Sequence, residues 1–227
     1  MVNWTKGNHK IIFGTPRSGT TFVALWYSNK FSGYQHLSKN KGFEHFDPSF
    51  MDCKSTDRKL VNLETKRRIS QDLKKLSIFK IHPGKNYSKH IYDYLKNEPI
   101  IVVKRKDVLG QFLSWGIGWQ TNKWAHFKME SKKDITTLNG LVEGQKFEYS
   151  KLHFEELKYR IDKFTKIEKT LKNIDRIIWF EDLPKWNIAG DTTVRQNPQS
   201  NEEKLNLLTN KHEFLDWYNN FKNSNKK

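Results

Sequence analysis

Residues 11–22, IIFGTPRSGTTF, constrain this chain more than any other stretch. An apolar run enters Gly14, four residues pass, and Gly19 leads into two threonines. Residues 10–13 (KIIF) read as a short buried strand, and residues 20–31 (TTFVALWYSNKF) read as a helix. A strand that enters a helix through a glycine loop is the setting in which backbone amides bind phosphate. The free N–H groups of the first helical turn and the positive end of the helix dipole attract an anion, and glycine lets the backbone approach it. The pattern for nucleoside triphosphates, G-x-x-x-x-G-K-[ST], puts a lysine after the second glycine. Here Thr20 and Thr21 follow instead, and the basic residue, Arg17, sits inside the loop. That lysine neutralises the terminal phosphates of a triphosphate. Its replacement suits an anion of another kind, with the threonine hydroxyls within reach of its oxygens.

Helical and strand patterns alternate after the loop. Residues 64–76 (ETKRRISQDLKKL) and 88–97 (SKHIYDYLKN, with Ser88 as N-cap) read as helices, and 77–84 (SIFKIHPG) as a strand stopped by Pro83 and Gly84. Residues 100–105 (IIVVKR) have the continuous apolar character of a central parallel strand. A helix from Asp107 should loosen at Gly116 and Gly118. Phe154, Leu157, Ile161, Phe164, Ile167 and Leu171 recur every three or four positions, as on an amphipathic helix. A further strand, 176–180 (RIIWF), and a last helical segment, 201–221, follow. Residues 34–55 read as polar, irregular loop. The alternation predicts an α/β fold with a mainly parallel sheet.

The chain of 227 residues suits one domain, 1–227, with a polar tail from about residue 222. Its net charge of +16 favours anionic partners. Cys53 is the only cysteine, so no internal disulfide forms. No apolar run reaches membrane-spanning length, and the N-terminus lacks the apolar core of a signal peptide. The expectation is a soluble, cytoplasmic protein without a membrane partner.

The segment TPRSGTTF resembles the 5′-phosphosulfate loop of sulfotransferases that use 3′-phosphoadenosine 5′-phosphosulfate (PAPS) and release its desulfonated product, PAP. The resemblance implies a three-layer P-loop-like fold, a central mainly parallel sheet flanked by helices, and no metal. It gives the cofactor-binding roles to Thr15, Arg17, Ser18, Gly19, Thr20, Thr21 and Phe22. Residues 100–115 (IIVVKRKDVLGQFLSW) resemble the family's 3′-phosphate element. That match implies Arg105 at a strand end and Ser114 on the following helix as ligands, with Lys106 as the alternative to Arg105. FKIHPG resembles the segment that carries the catalytic histidine, which implies His82 as general base and Lys80 beside the reacting centre. On a strand Lys80 and His82 share a face, and an imidazole titrates near neutrality. KGFEHFDP resembles the region that supplies a glutamate base in other branches, so Glu44 is the rival to His82. RIIWFEDL resembles a family strand-and-turn that would bring Phe180 to the adenine. The family's C-terminal Arg-Lys-Gly closure has no counterpart, and Arg195 is a weak substitute.

The expected activity is transfer of a sulfuryl group from PAPS to the hydroxyl or amine of a small-molecule or saccharide acceptor, with no nucleic-acid partner. Trp115, Trp119 and Trp124 could stack on such an acceptor or fill a core. Two alternatives stand beside it: a nucleotide kinase or NTPase with a degenerate loop, and a non-enzymatic polyanion binder driven by charge.

Overall fold

A computed structural model of the chain describes residues 10–30, 34–37, 44–51, 57–74, 77–121, 146–185 and 200–225. Arg195, Trp124 and Cys53 lie outside them. The chain divides into two compact units, Met1–Lys104 with Arg160–Ala189, and Arg105–Tyr159 with Gly190–Lys227.

The first unit is built on a parallel sheet of β1 (Lys10–Gly14), β2 (Gln35–His36), β3 (Ser77–Ile81), β4 (Ile100–Lys104) and β5 (Ile174–Trp179). Their order across the sheet is β2-β3-β1-β4-β5. Alternation along the strands fills two cores. Ile11, Phe13, Phe79, Ile81, Ile100 and Val102 point to one face, and Ile12, Ile78, Ile101, Val103 and Ile178 to the other. Both faces are buried, as the continuous apolar runs of β1, β3 and β4 require.

Helices cover both faces, so the unit has three layers. The helix α1 (Thr20–Lys30) lays Val23, Ala24 and Tyr27 on the second face. Opposite are α2 (Arg58–Gln71) through Ile69, α3 (Lys89–Leu95) through Ile91 and Leu95, and α5 (Lys151–Glu168) through Phe164 and Ile167. The strand order explains this division. The chain leaves β1 towards the β2 edge and thereafter winds back the other way. A right-handed crossover puts its helix on one face for one direction and on the opposite face for the reverse. The α1 crossover is the leg that runs against the rest.

The local determinants are as expected in several places. Ser88 caps α3, its Oγ accepting from His90 N at 3.2 Å. The helix α2 starts earlier than its periodicity suggests because Asp57 Oδ1 accepts from Lys59 N and Leu60 N. The strand β2 was not expected, since two residues carry no periodic signal and exist as a strand by pairing with β3.

The second unit contains α4 (Val108–Thr121), the start of α5, α6 (Asn201–Leu205) and α7 (Lys211–Ser224). The helix α4 does not loosen at Gly116. The missing Cβ there makes room for the ring of Tyr149, which donates from its hydroxyl to Phe112 O at 2.8 Å. Phe112 stacks on Phe154 at 4.5 Å, and Phe214 packs on Tyr149 at 4.8 Å. Trp115 is buried and donates to His153 O at 2.9 Å, while Trp119 is half-exposed and stacks on the His153 ring at 4.4 Å. The last helical segment breaks into α6 and α7. Asn210, between them, pairs its side-chain amide with the backbone of Tyr149 at 2.8 and 3.0 Å. Among the described residues no helix is long and apolar enough to cross a membrane.

Candidate functional site

The glycine loop leaves the carboxyl end of β1, next to the point where the winding direction reverses. In open α/β sheets this is where ligands bind. Gly14 is required by close approach, because a Cβ there would sit 2.7 Å from both Val103 O and Thr20 Cγ2. Ser18 closes the loop, donating from Oγ to Thr15 O at 2.7 Å and from its amide to the same oxygen at 3.3 Å. Gly19 has φ 88°, with Leu183 and Phe180 packed where its Cβ would be, so Phe180 lies directly against the loop. The first helical bond of α1 is Val23 N to Gly19 O at 3.1 Å. The amides of Thr20, Thr21 and Phe22 therefore precede the helical ladder and have no acceptor within it. Arg17, at the tip, is half-buried and takes φ 64°. A left-handed arginine is uncommon, and such strain concentrates at functional loops.

The cation missing after Gly19 comes from the neighbouring strand. Lys80 pairs in register with Ile12 and shares the α1-side face with Ile78. Its side chain is buried, and its Nζ donates to Thr21 Oγ1 at the first turn of α1. The same ammonium meets Glu44 Oε1 at 2.9 Å. A buried ammonium must be paired, and these two oxygens do so.

His82 follows two residues later and joins the same group. Its Nε2 lies 2.7 Å from Thr20 Oγ1, and its Nδ1 lies 3.4 Å from Glu44 Oε1. Burial, then the charges of Lys80 and Arg160, hold its pKa well below the ordinary 6.5, with Asp47 opposing. The ring is therefore neutral at pH 7. A proton on Nδ1 faces the carboxylate, and Nε2 then accepts from the Thr20 hydroxyl. That tautomer satisfies both ring nitrogens.

Glu44 is thus a neighbour of His82, not a distant rival. The sequence around it is polar, but Phe46 beside it is buried and meets the Phe79 ring at 5.3 Å. His45 Nε2 lies 2.9 Å from Asp72 Oδ2, and Arg68 Nη1 donates to His45 O. These contacts fix the segment. The Glu44 side chain is 21 % exposed against 7 % for His82, so the carboxylate is the more open end of the pair.

The expected 3′-phosphate residues fall in the other compact unit. Arg105 follows β4, is nearly buried, and lies 3.3 Å from Asp107 Oδ2. Asp107 Oδ1 accepts from Gly110 N and from Asn201 Nδ2, both at 2.9 Å. Ser114 is half-buried on α4, two turns along the helix that Asp107 begins. The structure thus brings Arg17, Gly19, Thr20, Thr21, Lys80, His82, Glu44 and Phe180 together around the start of α1. Thr15 and Ser18 serve the loop's own closure. Arg160, whose charge reaches His82, was missed; its place on an amphipathic helix far along the chain gives no local signal. No protein-family profile, curated protein or solved structure matches this chain.

Proposed function

We propose that this chain is a PAPS-dependent sulfotransferase acting on an acceptor hydroxyl. One observation carries the reading: Lys80 supplies a buried ammonium to the first turn of α1, and the same ammonium touches the carboxylate that stands beside His82. An anion cradle and a proton acceptor are thereby joined in one network. The loop placement and strand order also support a P-loop-like type of fold.

When bound, PAPS supplies a sulfuryl group on its 5′-phosphate. The residues here fit that group: the amides of Thr20, Thr21 and Phe22, with Arg17 and Lys80, face charge on the phosphosulfate oxygens. The acceptor oxygen would take that sulfuryl group, and Arg17, Lys80 and the loop amides would hold the departing phosphate of PAP. The acceptor proton passes to Glu44, whose exposed end is available while His82 Nε2 is engaged by Thr20. Neutral His82 orients that carboxylate.

Calorimetry on the full chain tests the reading. PAP should bind without magnesium. Binding of ATP that requires magnesium, with no binding of PAP, would favour the nucleotide-kinase reading instead, since a lysine delivered from β3 could also serve a triphosphate.

A further inference from the structure

We infer that Arg68 positions the proposed base: from the buried face of α2 it fixes the peptide that follows Glu44, and so holds the Glu44 carboxylate between Lys80 and His82. This rests on the sulfotransferase reading, in which Glu44 takes the acceptor proton. Arg68 stands where a core residue is expected. Val61, Thr65 and Arg68 recur every three or four positions as the buried residues of α2, and the Arg68 side chain is 7 % exposed. Its guanidinium makes contacts in two directions. Nε donates to Glu64 Oε1 at 2.7 Å, one turn back along α2, and Nη1 donates to the carbonyl of His45, the residue after Glu44.

Stability does not explain an arginine there. A buried ion pair is commonly matched or bettered by an apolar side chain of similar volume. Glu64 does not depend on it either, because Arg67 donates to both Glu64 oxygens at 2.7 Å. The hydrogen bond from Arg67, with that from Arg68, outweighs burial and holds the Glu64 carboxyl at about 2. Glu64 is therefore a charged anchor at neutral pH. An apolar side chain cannot bind that anchor and a carbonyl at once. A planar guanidinium fixes the directions of its acceptors, so the His45 carbonyl is tied in direction to α2.

The rest of the segment passes this constraint to Glu44. His45 Nε2 donates to Asp72, which caps the end of α2, at 2.9 Å, and Phe46 enters the core. Asp47 N donates to Glu44 O at 3.1 Å, closing a turn over residues 44–47, and the Tyr87 hydroxyl holds Asp47 Oδ2 at 3.1 Å. Arg68 acts on this turn one peptide away from Glu44. The carboxylate is thereby delivered with Oε1 at 2.9 Å from Lys80 Nζ and 3.4 Å from His82 Nδ1. Misplacing a reacting group by about 1 Å is enough to cost on the order of 10² in rate.

Two measurements on the full chain test this. Histidine-ring NMR, without cofactor or acceptor, reads the His82 tautomer that the carboxylate holds. Arg68→Met should shift the His82 ring signals away from the Nδ1-protonated form, as Glu44→Ala does, while Arg67→Gln leaves them as in the parent. The second measurement is release of PAP from PAPS with 4-nitrophenol as acceptor. Arg68→Met should lower kcat on the order of 10²-fold with PAP affinity unchanged, and on a Glu44→Gln background it should cost nothing more, since residues that act as a unit are not additive. Arg68→Lys keeps the charge and loses the fork; it should behave as Arg68→Met does and serves as the second variant where the methionine disturbs folding. Parent-like His82 signals in both Arg68 variants, or an equal loss of turnover with and without Glu44, would overturn the inference. Failure of PAP to bind the parent would instead sink the sulfotransferase reading, and the His82 signals would still judge whether Arg68 holds Glu44 in place.

Discussion

Glu44 has two cationic or protonatable neighbours on one oxygen, Lys80 at 2.9 Å and His82 at 3.4 Å. Removing each partner should have a different effect. Glu44→Gln keeps the shape and removes the proposed proton acceptor, so turnover should fall by roughly 10² to 10⁴, the usual contribution of a positioned base. His82→Ala should cost less turnover and alter the pH profile, because it removes an orienting contact. Turnover against pH for both variants decides this. A dead His82→Ala beside a nearly normal Glu44→Gln would assign the base to the imidazole, as its motif alone implies. His82 also makes stability depend on pH. Its folded pKa lies below the unfolded value of 6.5, so the unfolded chain takes up the proton first. The contribution is complete above 6.5 and declines as pH falls below it. His45 shifts in the same direction, chiefly by burial. Melting temperature should therefore drop between pH 7 and pH 5, and His82→Asn should flatten that drop. At this scale the loop residues and the pairing of Lys80 with His82 were legible, since glycine spacing and strand alternation are local. The place of Glu44 was not. It depends on Phe46 reaching a core built from residues far along the chain, and a polar sequence does not show that.

At the scale of the element, the loop and α1 form one device whose backbone conformation carries as much as its side chains. Arg17 holds φ 64°, at a cost of order 1–3 kcal/mol for a non-glycine residue. Arg17→Gly should therefore leave the melting temperature unchanged or raise it slightly, since relief of strain opposes the greater unfolded-state entropy of glycine, while turnover is lost. Loss of stability with turnover preserved would contradict the role given to Arg17. Gly19→Ala meets both a positive φ of 88° and Leu183 Cδ1 at 2.5 Å. It should destabilise by about 1–3 kcal/mol through overpacking and weaken PAP binding, as denaturant titration and calorimetry would show. The glycines of α4 teach the opposite lesson. Gly116 looks like a helix breaker in the sequence, yet the helix continues because the space is taken by Tyr149. Propensity is a local prior, and packing from a distant residue overrides it. Ser88 needed no such help, since its cap is made within its own turn.

For the whole molecule, charge and topology act separately. The net charge of +16 predicts retention on heparin that weakens steadily with salt. If the loop site is specific, PAP should not compete with that retention, and competition would place polyanion binding at the loop itself. Elution with salt gradients, with and without PAP, measures this. The α/β class and the alternation of strands and helices were readable from hydrophobic period alone. The order of strands was not, because register between distant segments leaves no mark in either segment. That order sets a schedule for assembly. Ile12 pairs with Lys80 on one side and Ile101 on the other. On the ribosome, the largely apolar β1 waits with both edges unpaired until β3 has been synthesised, and with one edge still unpaired until β4 has followed. Such contacts between distant segments are slow to form and leave an exposed strand open to aggregation meanwhile. Nascent chains arrested before residue 100 should therefore be protease-sensitive and engage chaperones, and chains released past β5 should not.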